Sequence, residues 1–185
     1  MSQKFYLDWR ARFEAQPGLR AAAAVIGVYS LLAYYLVGVY MLFSAAGRRT
    51  FFVGALALGL AWVFILMLNK LFPVSRPYQK FGFVPAATAV WLFSRAHNKP
   101  NSFPSEHVAS LAAVSFILAW YYPGLGVAAL LVAAFIGLAR VLLGYHYVVD
   151  VIGGFIIGGL AAFLVYIWLA PLLWQALPQS MYLVK

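Results

Sequence analysis

Acidic side chains are scarce in this sequence, which has 185 residues and only four aspartate or glutamate residues. Charged residues of both signs make up 9% of the chain, whereas hydrophobic residues make up 65%. Soluble domains carry about 25% charged residues, so the composition excludes an ordinary water-soluble fold. It predicts an integral membrane protein, and the length suits a single domain over residues 1–185.

Cysteine is absent, which excludes disulfides and thiolate metal sites. The formal net charge is +9, a balance that could favour nucleic acid or anionic lipid as a partner. The chain contains no basic run with interleaved polar residues, so nucleic acid is not expected. Anionic headgroups and phosphates are the better candidates.

Long charge-free runs predict an all-α fold with about five transmembrane helices. A helix needs about 20 apolar residues to cross about 30 Å of hydrocarbon. The run over 108–139 is too long for one helix, and the Tyr-Tyr-Pro-Gly sequence at 121–124 divides it into a hairpin. The spans are predicted at 21–47, at 51–69, in the two halves of 108–139, and at 151–169, within a core of 21–170.

Two further segments are predicted to lie at the membrane surface. Residues 1–17 place Phe5, Trp9 and Phe13 at four-residue spacing, which is typical of an interfacial helix with one aromatic face. Residues 81–93 are apolar but too short to cross, so they are expected to lie in the interface or to re-enter. In the fifth span, paired glycines at 153–154 and 158–159 are expected to allow close helix packing.

Five spans bring the chemically active residues to one side of the membrane. The second and fourth spans end on the side where the third and fifth begin. The polar residues predicted to converge there are Lys70, Arg76, Ser105, His107, Arg140, His146 and Asp150.

His146 and Asp150 are four residues apart, so on a helix they would share one face. A carboxylate that accepts from one ring nitrogen sets the tautomer and leaves the other nitrogen free to attack. Arg140 lies six residues upstream of His146, and Gly144 between them is a place where a helix can end or bend. His107 could then protonate a leaving oxygen, a pairing that suits phosphoryl transfer.

The cations predict a site for a multiply charged anion, because arginine forks match phosphate oxygens. Ser105 either contributes to this site or simply caps the following helix. Glu106 is expected to point away from a phosphate or to pair with a cation. His97 is interpreted as a solvated loop residue. Metal catalysis is a poorer interpretation, because beyond the histidines only Asp150 and Glu106 remain as ligands.

These residues resemble the type 2 phosphatidic acid phosphatase superfamily, whose motifs are Lys-x6-Arg-Pro, Pro-Ser-Gly-His and Ser-Arg-x5-His-x3-Asp. All three occur in the family's order within about 80 residues. The matching segments are Arg76-Pro77 with Lys70 nearby, Pro104-Ser105-Glu106-His107, and Ala139-Arg140 followed by His146 and Asp150.

The sequence departs from the family pattern at three positions. Lys70 stands six residues before Arg76, not seven, and Asn69 holds the usual lysine position. Glu106 replaces glycine, as acidic residues also do in bacterial undecaprenyl pyrophosphate phosphatases of this superfamily. Ala139 replaces serine, so one hydroxyl contact is expected to be missing.

The resemblance implies a membrane lipid phosphatase that needs no metal and no cofactor. It implies that His146 forms a phosphohistidine, that Asp150 orients it and that His107 is the general acid. It further implies a set of residues that hold the substrate phosphate, namely Arg76, Arg140, Ser105 and Lys70.

The small size, the five spans and the Ser-Phe-Pro-Ser-acid-His motif look most like the undecaprenyl pyrophosphate phosphatases. Phosphatidylglycerophosphate, phosphatidate and lipid A phosphatases stay open as alternatives. The high hydrophobicity argues against the soluble vanadium haloperoxidases that share the motifs. The competing class is an anion transporter, but transporters usually show internal repeats and paired broken helices, and this sequence has neither.

Two arguments about the side of the membrane disagree. More lysine and arginine residues lie near span ends on the active-site side, which by the positive-inside rule predicts a cytoplasmic site. The resemblance implies an extracytoplasmic site in a bacterial-type cytoplasmic membrane, with the N-terminus outside and the C-terminus inside. Several of the cations are needed for chemistry, which weakens the count, so we expect the extracytoplasmic arrangement.

Overall fold

The structure is a computed structural model that describes residues 3–44, 47–82 and 101–176, and every regular element in these ranges is helical. The all-α prediction is therefore confirmed for the part described. The helices are α1 Gln3–Glu14, α2 Pro17–Phe43, α3 Arg48–Leu71, α4 Pro77–Phe81, α5 Glu106–Tyr121, α6 Pro123–Leu142, α7 Val148–Leu164 and α8 Ala170–Ala176, with a π-helical segment Val165–Leu169 joining the last two.

Helix α5 lies at the centre of the bundle and packs against α3, α6 and α7. Its apolar residues surround the helix on every side, a pattern typical of a fully buried helix. Small side chains dominate the contact, among them Ala57 and Ala61 of α3, and Ala113 of α5, all with no exposed surface. Small residues let helices approach closely where lipid provides no hydrophobic driving force between them.

The structure places helices in all five predicted spans, although their lengths differ. Three segments of the described chain are long and apolar enough to cross a membrane: Arg48–Leu71, Pro123–Leu142 and Val148–Leu172. Helix α5 has 16 residues, or about 24 Å, which is shorter than the hydrocarbon core. Helices α3, α6 and α7 pack against it, so it does not need the full length of a lipid-facing span.

The predicted packing role of the glycines in α7 is confirmed. A methyl group on Gly158 would lie 2.4 Å from the carbonyl oxygen of Ala109 in α5, and one on Gly154 would lie 3.0 Å from the carbonyl of Ser105. One on Gly153 would meet the ring of Phe103 at 2.4 Å. These glycines therefore allow α7 to touch the backbone of α5 and of the loop before it.

The surface segments are described only in part. Helix α1 forms where predicted, but Phe13 is buried against Tyr145 and Leu143 in one cluster, so this residue packs on the protein. Helix α4 was not predicted; it begins at Pro77, a favoured first residue, directly after Arg76. Of the expected re-entrant segment 81–93, residues 83–93 lie outside the described ranges.

Candidate active site

The turn that carries His146 has the hydrogen bonds of a Schellman motif at the end of α6. The backbone N–H of Tyr145 donates to the carbonyl of Arg140 at 2.9 Å, and that of Gly144 donates to Val141 at 3.0 Å. Gly144 has a φ of 81°, in the left-handed region that favours glycine. The helix thus ends where the sequence predicted, and the reversed chain returns His146 to Arg140.

The neighbours of His146 determine which of its ring nitrogens carries the proton. Its Nδ1 lies 2.9 Å from the carbonyl oxygen of Ser102 and 3.6 Å from Oδ2 of Asp150. Because a carbonyl oxygen only accepts, Nδ1 carries the proton and Nε2 keeps its lone pair. That free Nε2 faces Arg76, whose Nη1 is 3.5 Å away.

The prediction that His146 and Asp150 share a helix face is wrong. His146 lies in the turn before α7, whereas Asp150 lies in the first turn of α7. The carboxylate folds back over the helix N-terminus and accepts from the backbone N–H of Tyr147 at 2.8 Å. The hydroxyl of Ser102 donates to the same oxygen at 2.5 Å. The two residues meet because the chain caps a helix, not because a helix continues through them.

The loop of the second motif is joined to α7 through its backbone. The N–H of Ser105 donates to the carbonyl oxygen of Asp150 at 2.9 Å. This bond aligns the start of α5 with the start of α7, beside the glycine contacts described above. The second and third motifs are therefore hydrogen-bonded to each other around the buried His146.

The charge state of His146 follows from its burial. Burial lowers the pKa of His146 from 6.5 to about 4, the nearby Asp150 carboxylate opposes this shift, and the charges of Arg140 and Arg76 add to it. The imidazole is therefore neutral near pH 7, which is the form that can act as a nucleophile.

Three buried polar atoms near His146 have no hydrogen-bond partner among the described residues: Nε of Arg76, Nε of Arg140 and Oγ of Ser105. A buried donor without a partner costs about 1–3 kcal/mol. Ser105 stands at the N-cap of α5, yet its side chain makes no capping bond. The hydroxyl is thus not used for capping, and together with two guanidinium groups it fits the oxygens of a phosphate.

Arg140 connects the two histidines of the cluster. Its carbonyl accepts from the backbone N–H of His146 at 3.4 Å, and its Nη2 lies 3.4 Å from Nδ1 of His107. A guanidinium only donates, so Nδ1 of His107 accepts and the neutral ring carries its proton on Nε2. His107 is half-buried in the first turn of α5. Only its doubly protonated form could act as an acid, because the neutral ring would become an imidazolate on losing its proton.

Tyr145 lies against the guanidinium of Arg140, and Tyr78 packs on Tyr145. The guanidinium lies 4.6 Å from the centroid of the Tyr145 ring, and Tyr78 meets that ring edge-on at 6.0 Å. Burial raises the pKa of both phenols, so both remain neutral near pH 7. The aromatic face stabilises the cation and restricts its position.

The residues of the first motif are divided between the interior and the surface. Asn69 is buried, and its Nδ2 donates to Oε1 of Glu106 at 3.2 Å. The partner of Glu106 is therefore a neutral amide and not the cation that was one of its two expected arrangements, the other being an orientation away from the phosphate. Lys70 is exposed at the end of α3, and within the described residues no hydrogen bond or ion pair joins it to the cluster. Its phosphate-binding role stays a prediction.

Sequence reasoning missed Ser102, which is buried and touches both His146 and Asp150. The only available signal was its position in the Ser-Phe-Pro-Ser segment directly before α5. His97 lies outside the described residues. Within the described part, no three histidine or acidic side chains come close enough to hold a metal ion. Metal-independent catalysis stays a prediction.

The sequence profile of the PAP2 superfamily matches residues 50–174 of the chain. The bacitracin transport permease protein BcrC of Bacillus licheniformis is 32% identical over 94 residues, which cover 51% of this chain and 44% of that protein. Phosphatidylglycerophosphatase B of Bacillus subtilis (strain 168) is 38% identical over 80 residues, which cover 37% of this chain and 39% of that protein. The chain therefore spans less than half the length of these curated relatives.

A solved structure extends the similarity to most of the chain. It is described as the first transmembrane PAP2 type phosphatidylglycerolphosphate phosphatase, from Bacillus subtilis. The match has a TM-score of 0.56 and 26% identity, and it covers 89% of this chain and 86% of that chain. Together with the apolar helices, this match confirms the prediction of an integral membrane protein.

Proposed function

The chain belongs to the PAP2 superfamily, and we propose from that premise that it is a membrane phosphatase acting on a lipid phosphate or pyrophosphate. The observation that carries the proposal is the environment of His146. Its Nδ1 donates a hydrogen bond to the Ser102 carbonyl, and its Nε2 faces Arg76. Several buried hydrogen-bond donors close to it have no partner among the described residues. This combination supports a phosphate bound directly in front of a neutral nucleophile.

In the proposed reaction, Nε2 of His146 attacks phosphorus in line with the bond to the leaving oxygen. The N–P bond forms as that P–O bond breaks, and His107, which enters the step as the imidazolium, gives a ring proton to the leaving oxygen and becomes neutral. Arg76, Arg140 and Ser105 hold the remaining phosphoryl oxygens. A water then attacks the phosphohistidine, with His107 taking its proton, so that phosphate leaves and both histidines return to their starting state.

We propose undecaprenyl pyrophosphate as the substrate, cleaved to undecaprenyl phosphate and phosphate. The support is the Ser-Phe-Pro-Ser-Glu-His segment, in which an acidic residue replaces glycine. Glu106 is held by Asn69 and lies beside the site. The acidic residue at this position is the feature that resembles the undecaprenyl pyrophosphate phosphatases.

Phosphatidylglycerophosphate is the second candidate, because two of the similar proteins are named as phosphatases of that lipid. A panel of purified protein with undecaprenyl pyrophosphate, phosphatidylglycerophosphate and phosphatidate separates the candidates by kcat/KM. The proposed substrate should give the highest value of the three. A higher value for phosphatidylglycerophosphate would move the assignment to the second candidate.

An anion transporter is the competing class, and one similar protein carries the name transport permease. Phosphate release from lipid pyrophosphate in detergent decides between the classes, because a transporter moves an anion without breaking the bond between the two phosphates. Vanadate, which mimics the pentacoordinate phosphoryl group, should inhibit the release, and a chelator should leave it unchanged. Loss of activity with a chelator and recovery with a divalent ion would indicate a metal enzyme.

We further propose that the active site faces the extracytoplasmic side, with the C-terminus inside. The arginines of the cluster are used to hold phosphate, so they do not report on topology as ordinary loop cations do. A C-terminal reporter that is active only in the cytoplasm should give signal. A reporter that works only outside the cell would reverse the orientation.

The covalent step is tested by trapping. Wild-type protein mixed with a lipid phosphate labelled on its terminal phosphorus and quenched with alkali should retain label, because phosphohistidine survives base. His146→Ala should neither retain label nor release phosphate, while His107→Ala should retain label. A labelled His146→Ala protein would exclude His146 as the nucleophile.

A further inference from the structure

A second cleft lies at the end of the bundle opposite His146. Its volume is about 440 Å³, and its lining consists of Arg49 at the start of α3, Tyr121 at the end of α5, and Tyr166, Ile167, Ala170 and Pro171 beyond α7. From Val148 to Tyr166 a helix rises about 27 Å. This distance is close to the thickness of the hydrocarbon core, so the cleft lies at the other membrane surface.

The wall of this cleft is an ordered aromatic cluster. The ring of Tyr166 stacks on Trp120 with centroids 4.5 Å apart and planes at 8°, and it meets Tyr121 edge-on at 6.0 Å. Tyr166 lies in the π-helical segment, a type of distortion that is frequent at functional sites. The guanidinium of Arg49 lies 5.9 Å from the centroid of Tyr121, so a cation rests against this wall.

The chain supplies no acidic side chain to this end of the bundle. Two of its four acidic residues, Asp8 and Glu14, belong to α1, which packs through Phe13 onto Tyr145 beside the active site. The other two, Glu106 and Asp150, lie in the first turns of α5 and α7. The cleft is therefore positively charged, with apolar walls and phenol groups.

We infer that this cleft binds the phosphate headgroup of an anionic phospholipid from the leaflet opposite the active site. The Arg49 fork suits a phosphodiester, and Ile167 and Pro171 offer an apolar surface to the first carbons of an acyl chain. Among the described residues, the lining has no histidine, serine or carboxylate that could attack phosphorus. The lipid is thus a bound structural ligand and not a second substrate.

The test is a titration of the purified protein in phosphatidylcholine nanodiscs with increasing phosphatidylglycerol, with the unfolding temperature as readout. Arg49→Gln removes the cation of the cleft. Arg48→Gln is the matched control, because it removes the same charge one residue away, where Nε of Arg48 donates to the carbonyl of Leu42 at 3.4 Å. The measurement involves no turnover, so its outcome is independent of the proposed phosphatase activity.

Phosphatidylglycerol should raise the unfolding temperature of the wild type and of Arg48→Gln, and half of the increase should be reached at the same phosphatidylglycerol content in both. Arg49→Gln should require about tenfold more, the factor expected for losing a hydrogen bond to a charged group. Arg49→Lys keeps the charge but not the forked pair of donors, so its half-saturating content should lie between those of the wild type and Arg49→Gln. It replaces Arg49→Gln in the test if that variant does not fold. Equal weakening in Arg48→Gln and Arg49→Gln, no dependence on the anionic lipid, or equal stabilisation by inorganic phosphate would each overturn the proposal.

Discussion

The carbonyl oxygen of Ser102 lies 2.9 Å from Nδ1 of His146, although the two residues are 44 positions apart in the sequence. The hydroxyl of the same serine donates to Asp150 at 2.5 Å. One residue of the loop before α5 therefore contacts both His146 and Asp150 of the third motif. The orientation of His146 depends on this loop as much as on the carboxylate predicted to set it.

This arrangement predicts a positioning role for the Ser102 hydroxyl. Ser102→Ala keeps the carbonyl but removes a donor to a buried carboxylate, so kcat should fall about tenfold with KM little changed. Asp150→Asn should cost more, because it also removes the charge that favours the imidazolium. Ser75→Ala, at an exposed serine beside Arg76, is the control. A wild-type kcat in Ser102→Ala would contradict the role.

The role assigned to His107 predicts that its importance depends on the leaving group. Acid catalysis by a positioned group contributes about 10²–10⁴-fold, and a lipid alkoxide needs it most. His107→Ala should therefore lose most activity on phosphatidate-type monoesters, less on lipid pyrophosphates and least on an aryl phosphate. A similar loss on all three substrates would show that His107 only binds phosphate.

The lowered pKa of His146 predicts an unusual acid limit for activity. The nucleophile must be unprotonated, so a lower pKa preserves activity to a lower pH than an ordinary histidine with a pKa of 6.5 would. The acid limb of kcat/KM, which reports on the free enzyme, should lie below 6.5 and towards the value of about 4. The ionisation of the substrate is measured separately, and the pH profile of kcat/KM is corrected for it. An acid limb at or above 6.5 would contradict the prediction.

The glycine contacts between α7 and α5 predict that one added methyl group would force the two helices apart. In Gly158→Ala the new methyl would meet the carbonyl of Ala109 at 2.4 Å, so α7 must move away from α5. Overpacking of this kind costs about 1–3 kcal/mol, and the unfolding temperature should fall by several degrees. Gly59→Ala is the control, since its methyl would meet nothing within 4 Å. An equal unfolding temperature in both variants would contradict the predicted contact.

Membrane insertion leaves strong signals in a sequence, because a span needs a long run without charge. The break at 121–124 and the helix end at Gly144 were also predictable, since proline and left-handed glycine act locally. The surface segments were harder: Phe13 packs on Tyr145, a contact between residues that are far apart in the chain. The segment 78–104 is expected to influence headgroup choice, and its residues 83–100 lie outside the described ranges.

The sequence by itself determined the helical membrane class, the family motifs and the gathering of Arg76, His107, Arg140 and His146 at one end. Composition and motif spacing are properties of the chain alone. Because successive spans cross the bilayer in alternating directions, the span ends that carry these residues lie on the same side. The tertiary structure alone decided that Ser102 orients His146, that Asn69 and not Lys70 turns inward, and that Ser105 keeps its hydroxyl uncommitted. These features depend on which buried polar groups satisfy one another in three dimensions, and residue spacing carries no information about such pairs when they come from different helices and loops.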